Sequence, residues 1–178
     1  MGFERLERNI IEVIKEFQIK IGYENNPMSL NYPLSSLCGL AGKKCTVAEM
    51  TALMKDFSAY AEPRLGDIGI SERDGIFTLV ISEKGTAYVN SLISEKEFIY
   101  ELINTVRCHD SNMEDVLGVF HRHSHNVLVT KMEDNCEFDY KVSFEDGVPD
   151  EFIYCLTDEG CHISYHRFTK EDFESLGM

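Results

Sequence analysis

The sequence predicts an α+β fold: a helical N-terminal half that carries a β-hairpin and is winged-helix-like, then two helices and a four-stranded antiparallel meander. Three observations predict it. Apolar residues recur at steps of three and four near the start and at every second position in the last third, a change from helical to strand spacing. Capping patterns punctuate the chain between these regions, and an Asp-Gly pair separates two apolar runs.

The elements follow in order. Phe3, Leu6, Ile10, Ile14, Phe17 and Ile21 line one face of a first helix, and Glu4, Glu7, Arg8, Glu12 and Lys15 give it a wet face. Tyr23 to Gly42 reads as loop, with a short helix over Leu34 to Leu40. Thr46-x-x-Glu49, Ser94-x-x-Glu97 and Ser111-x-x-Glu114 are capping boxes that predict helices over 47–61, 95–108 and 112–124. Asp74-Gly75 turns a hairpin between Gly66–Ser71 and Ile76–Ile81, and Ser82 to Val89 passes from strand into helix. Cys136, Phe138, Tyr140, Val142 and Phe144 alternate with polar residues, as in a strand with one buried face. Val127–Lys131, Phe152–Thr157 and Cys161–Phe168 supply the other three strands of a meander, and Thr169 caps a short helix from Lys170 to Leu176.

A chain of 178 residues accommodates one generous domain or two small ones. It reads as two halves, 1–94, helical and winged-helix-like, and 95–178, helices plus antiparallel sheet, which have separate cores or share one. Hydrophobic residues at 43% and charged residues at 27% describe a globular protein. The first residues are too charged for a secretory signal, no apolar run reaches the roughly 20 residues that span a bilayer, and Leu6 stands where a myristoylation signal needs Ser or Thr. A cytoplasmic location without membrane contact is therefore expected. Cys38, Cys45, Cys108, Cys136, Cys155 and Cys161 form no CxxC pair and read as reduced, mostly buried thiols.

The net charge of −14 has the wrong sign for phosphate backbones, so nucleic acid is disfavoured as a partner. The imbalance is uneven: residues 1–95 hold 10 basic and 13 acidic side chains, residues 96–178 hold 7 and 18. In the winged-helix-like half, Thr46–Tyr60 occupies the recognition-helix position and Asp67–Ile81 the wing. That helix offers Glu49, Lys55 and Asp56 where base reading calls for Arg, Lys, Asn or Gln.

His121-x-His123-x-His125 is the densest imidazole cluster. On a helix His121 and His125 stand at i,i+4, a spacing that can share a metal, with Cys108, His109, Cys161, His162 and His166 as additional ligands if the fold gathers them. The plainer reading is that these imidazoles stabilise a helix C-terminus. His162, Ser164 and His166 alternate on one strand face, and His162, His166 and Arg167 form a candidate anion-binding set in an acidic half. A solvated sheet face explains the same residues without a ligand. No catalytic residue is assigned. There is no GxSxG elbow or HExxH, and Gly39 to Lys44 fails as a phosphate loop because Leu37 and Lys44 replace the required Gly and Ser/Thr. EF-hand loops counted back from Gly75 or Gly147 begin at Ile70 or Val142, where Asp is needed.

The opening Phe3-Glu4-Arg5-Leu6-Glu7-Arg8-Asn9-Ile10-Ile11, the segment Tyr32-Pro33-Leu34-Ser35-Ser36-Leu37 and the close Tyr165-His166-Arg167-Phe168-Thr169 resemble a small bacterial family catalogued only as a domain of unknown function. The likeness covers most of the chain. It implies a bacterial cytosolic origin and transfers no activity.

Three functions are compatible with these readings. The first is a non-catalytic interaction or regulatory module, contacting a protein partner or a second copy and calling for no cofactor. The second is a metal- or small-ligand-binding enzyme built on the histidine-rich second half. The third is a winged-helix DNA-binding regulator.

Overall fold

The computed structural model describes residues 3–133 and 136–177. Two compact units divide the chain between Ile93 and Ser94. In the first, the order is α1 (Glu4–Ile21), β1 (Met28–Pro33), α2 (Leu34–Leu40), α3 (Val47–Leu65), β2 (Ile68–Arg73), β3 (Ile76–Ile81) and α4 (Glu83–Leu92). The second contains α5 (Phe98–Arg107), α6 (Met113–His123), β4 (Val127–Lys131), β5 (Tyr140–Phe144), β6 (Ile153–Asp158), β7 (Ile163–Phe168) and α7 (Lys170–Ser175). The α+β class is therefore observed.

The first unit has the element order of a winged helix, with α3 in the recognition position and β2–β3 as the wing. Its sheet runs β1-β3-β2, antiparallel throughout, with Leu30 opposite Leu79 and Tyr32 opposite Phe77. Strand β1 lies where the sequence reads as loop. Met28, Leu30 and Tyr32 do alternate with polar or turn residues, but Asn25-Asn26-Pro27 and Pro33 bracket so short a run that the turn signals dominate it. The wing turns as expected: Asp74 has φ 53° and Gly75 φ 81°, the left-handed pair that a two-residue type I′ hairpin needs.

Helix α3 begins at a complete capping box. The Thr46 hydroxyl accepts from Glu49 N–H at 3.3 Å, while the Glu49 carboxylate accepts from Thr46 N–H at 2.8 Å. The helix then continues beyond the expected end, through Pro63 to Leu65. Ser82 caps α4 by accepting from Gly85 N–H, and its own hydroxyl donates to Leu65 O at 3.2 Å. That ties the start of α4 to the end of α3. Beneath them, Ile10 and Ile14 of α1, Met54 and Phe57 of α3, and Phe77 and Leu79 of β3 are fully buried.

The second unit is the expected antiparallel meander, β4-β5-β6-β7. Two corrections concern its helix starts. Ser94 and Glu97 form no capping box: α5 starts after Glu97, without a side-chain cap. The box before α6 is made one residue later than expected, by Asn112 and Asp115. The alternating run from Cys136 joins the ladder only at Tyr140, although Phe138 is buried. On one sheet face Phe144 and Tyr154 meet Phe98 of α5 and Phe120 of α6, with ring centroids 4.9 to 5.7 Å apart around Phe98 and Phe120. On the other, Phe138, Cys155 and Phe173 of α7 form a smaller cluster.

Candidate functional site

The sequence-predicted ligands do not converge. Helix α6 ends at His123, and Ser124 is extended at φ −151°, ψ 149°, so His125 falls outside the helical spacing that would place it one turn above His121. Both rings are exposed. His123 is engaged elsewhere: its Nε2 lies 2.7 Å from Glu101 Oε2, and its ring meets Phe98 edge-on at 5.7 Å. Arg122 donates to the same carboxylate, at 2.8 Å through Nε. Hydrogen bonding from His123, with that from Arg122, holds Glu101 below the usual carboxylate range. Among the described residues, no three His, Cys, Asp or Glu side chains gather as metal ligands.

Strand β7 sends its candidates to different places. His166 is exposed opposite Cys155 and stacks on Phe168, with ring centroids 6.4 Å apart. His162 precedes the strand, with Nε2 3.4 Å from Glu159. Arg167, one position on from His166, points to the other face because side chains alternate. There its guanidinium lies 4.1 Å over the Phe152 ring and bonds the Tyr154 hydroxyl. Tyr154 is fully buried and donates to Asp150 Oδ2 at 2.6 Å, while Asp150 Oδ1 accepts from Phe152 N–H. Burial and the Asp150 carboxylate push the Tyr154 hydroxyl well above its usual pKa. Arg167 thus belongs to a buried chain with Tyr154 and Asp150, apart from both histidines.

A concave surface is found elsewhere, at the C-terminal end of α1. The apolar stripe of α1 outruns what packs on it: Leu6, Ile10 and Ile14 are buried, but Phe17 is 46% and Ile21 63% exposed. With Val13, Met28 and Leu30 they line a half-open groove of about 570 Å³ between the helix end and the segment leading into β1. One residue of α4 ties both walls together. Thr86 accepts at its carbonyl from Gln18 Nε2 (2.9 Å), and its hydroxyl donates to Asn26 O (3.1 Å). Gln18 is 4% exposed, and its Oε1 finds no donor among the described residues. Glu16, Lys20 and Glu24 stand at the rim; Lys20 donates to Glu16 at 2.7 Å, and Glu24 accepts from Asn26 at 3.1 Å.

A family model described as "Domain of unknown function, E. rectale Gene description (DUF3877)" matches residues 3–177. The chain belongs to this family. The match spans both units, so membership in this family named from a bacterium includes the winged-helix-like unit and the meander together. No curated protein and no solved structure matches the chain significantly. No described helix is long and apolar enough to cross a membrane.

Sequence reasoning missed the groove because period alone assigns Phe17 and Ile21 to the core. The available signal was that both lie in the last turns of α1, next to a Gly and Asn-rich exit.

Proposed function

We propose that the chain is a non-catalytic interaction module whose contact surface is the groove at the end of α1. The exposure of Phe17 and Ile21 on an otherwise core-facing stripe carries this reading. Large apolar side chains grouped on a concave, polar-rimmed surface mark binding sites in proteins of this size. The residues that would supply chemistry support it from the other side: His123, Arg167, Asp150 and Tyr154 are committed to helix, sheet and core contacts.

The test compares the full chain with a Phe17→Ser, Ile21→Ser double variant. Both positions are exposed, so far-UV circular dichroism should be unchanged. A specific partner retained from lysate by the wild type, or its self-association on a sizing column, should be lost in the variant. Equal behaviour of the two proteins, or a monomer that captures nothing, refutes the reading.

The winged-helix element order favours a second reading, DNA binding through α3. Its exposed charged side chains are Glu49, Lys55, Asp56 and Glu62, one cation against three acids. This reading requires salt-dependent binding of the full chain to duplex DNA. No mobility shift at low salt disposes of it.

A further inference from the structure

We propose that Cys38 and Cys45 are a modification site: a dithiol that low-molecular-weight disulfides convert, reversibly, into an intramolecular bridge between α2 and the start of α3. The inference holds whatever occupies the α1 groove.

The two cysteines are separated in sequence, and the end of α2 brings them together. Gly42, at φ 66°, reverses the chain after Ala41; its N–H donates to Gly39 O at 3.0 Å, and Lys43 N–H donates to Cys38 O at 3.0 Å. These two bonds are the Schellman pattern, in which a glycine supplies the left-handed residue after the helix. The reversed chain delivers Cys45 to Cys38, one residue before the Thr46 cap of α3.

Three observations make the pair a site for exchange. First, Cys38 Sγ accepts from Cys45 N–H at 3.3 Å and its S–H donates to Cys45 O at 3.7 Å, so one sulfur is held against the other residue's backbone. Second, the thiols lie within hydrogen-bonding reach of each other: partial burial, opposed by Lys43 and reinforced by the Cys38 thiol, raises the Cys45 pKa. Third, both residues are only half-buried and stand beside the exposed Lys43-Lys44, so a small reagent reaches them. Cys155, which has Cys136 as a neighbour, differs in being fully buried and raised to about 11. Joining Cys38 to Cys45 gives up only weak S–H contacts, to Cys45 O and to Lys43 O at 4.0 Å.

The exchange balances. One protein thiolate, its proton given to solvent, attacks a sulfur of the reagent RSSR, forming a mixed disulfide and releasing RS⁻. The second protein thiolate attacks the protein sulfur of that mixed disulfide, and a second RS⁻ leaves. The two RS⁻ take up the two protons, so two protein thiols and RSSR become one protein disulfide and two RSH. Excess small dithiol reverses the sequence.

Oxidised glutathione added to the reduced, full-length protein is the probe, with free thiols then blocked by N-ethylmaleimide. Trypsin cuts after Lys20, Lys43, Lys44 and Lys55, so a non-reducing map should show residues 21–43 joined to 45–55, and dithiothreitol should part them. The bridged pair should exceed glutathione adducts at these two positions at least tenfold. Cys38→Ser and Cys45→Ser should each instead retain a glutathione adduct on the remaining thiol, which has no neighbour to displace it. Stable adducts at both positions of the wild type overturn the proposal. So do links from either cysteine to another cysteine or another chain, and so does a map in which both stay unmodified while the exposed Cys108 and Cys161 react. If a serine variant fails to fold, the wild-type map decides alone.

Discussion

Replacing Gly85 with alanine should destabilise the first unit, although the substitution puts a better helix former into α4. A Cβ built at Gly85 would lie 2.3 Å from Leu65 O and 2.6 Å from Ile81 Cγ2, where the nearest obstacle is backbone and cannot rotate away. Relief requires α4 to withdraw from the end of α3, against the Ser82 to Leu65 hydrogen bond that fixes it there. Overpacking of this kind costs roughly 1–3 kcal/mol, and contact with backbone puts Gly85 at the upper end. Alanine returns up to about 1 kcal/mol of helix propensity, so the net loss is about 2 kcal/mol. With a urea m-value of about 2 kcal/mol/M for a unit of this size, the midpoint falls by about 1 M in a far-UV circular dichroism titration. Gly118 in α6 is the paired control. Its added Cβ meets only Arg122 Nη1, at 3.2 Å, the movable end of a long side chain. Gly118→Ala should raise the stability of the second unit by up to about 1 kcal/mol. A Gly85→Ala midpoint that is unchanged or raised would refute the reasoning, because the close approach of α4 to α3 would then not constrain the fold.

Three further outcomes follow from the second unit. Tyr154→Phe removes the buried donor to Asp150 and should lower stability by about 1.5–3 kcal/mol in thermal melts, since a carboxylate acceptor loses a partner; a change below a few tenths would mean that Asp150 is satisfied without it. Burial raises the Cys155 thiol to about 11, whereas Cys108 and Cys161 are exposed. Iodoacetamide at pH 8 should therefore label those two first and leave Cys155 unmodified in the native protein, as peptide mapping would record; early labelling of Cys155 contradicts its burial. Glu101 is held below the usual carboxylate range in the folded state by His123 and Arg122, so its contribution is present above the unfolded-state value and lost as pH falls through the folded one. Its side chain is about a third exposed, which keeps that contribution near 1 kcal/mol. Glu101→Gln should be less stable than wild type at pH 7, and the gap should narrow as acidification carries Glu101 through its folded-state value in urea titrations; a gap that does not change with pH excludes the carboxylate charge as its source.

The parts of the fold legible in the sequence are those written in local chemistry. Thr46 with Glu49, Ser82, Asp74-Gly75 and Thr169 each satisfy or turn the backbone within four residues, so their effect survives without tertiary context. Strand β1 was hidden because its stability comes from pairing with β3, some fifty positions along the chain, and its own flanks read as turns. Arg167 was misread for a similar reason. Alternation places it opposite His166, yet the reading grouped the two by nearness in sequence. The groove was least legible, since whether Phe17 and Ile21 are covered depends on where neighbouring elements stop.

The N-terminal half of α1 is held by more than apolar packing. Glu7 accepts from Arg64 in the last turn of α3 and lies 3.4 Å from the Tyr60 hydroxyl, and Asn9 accepts from Tyr32 at 3.0 Å. These polar ties fix the azimuth of the helix about its own axis, so Phe17 and Ile21, two and three turns further on, face one direction before anything arrives. On the proposed reading, a partner at that end would meet side chains already oriented, so the ordering cost of binding would fall mainly on the partner, which favours rapid engagement.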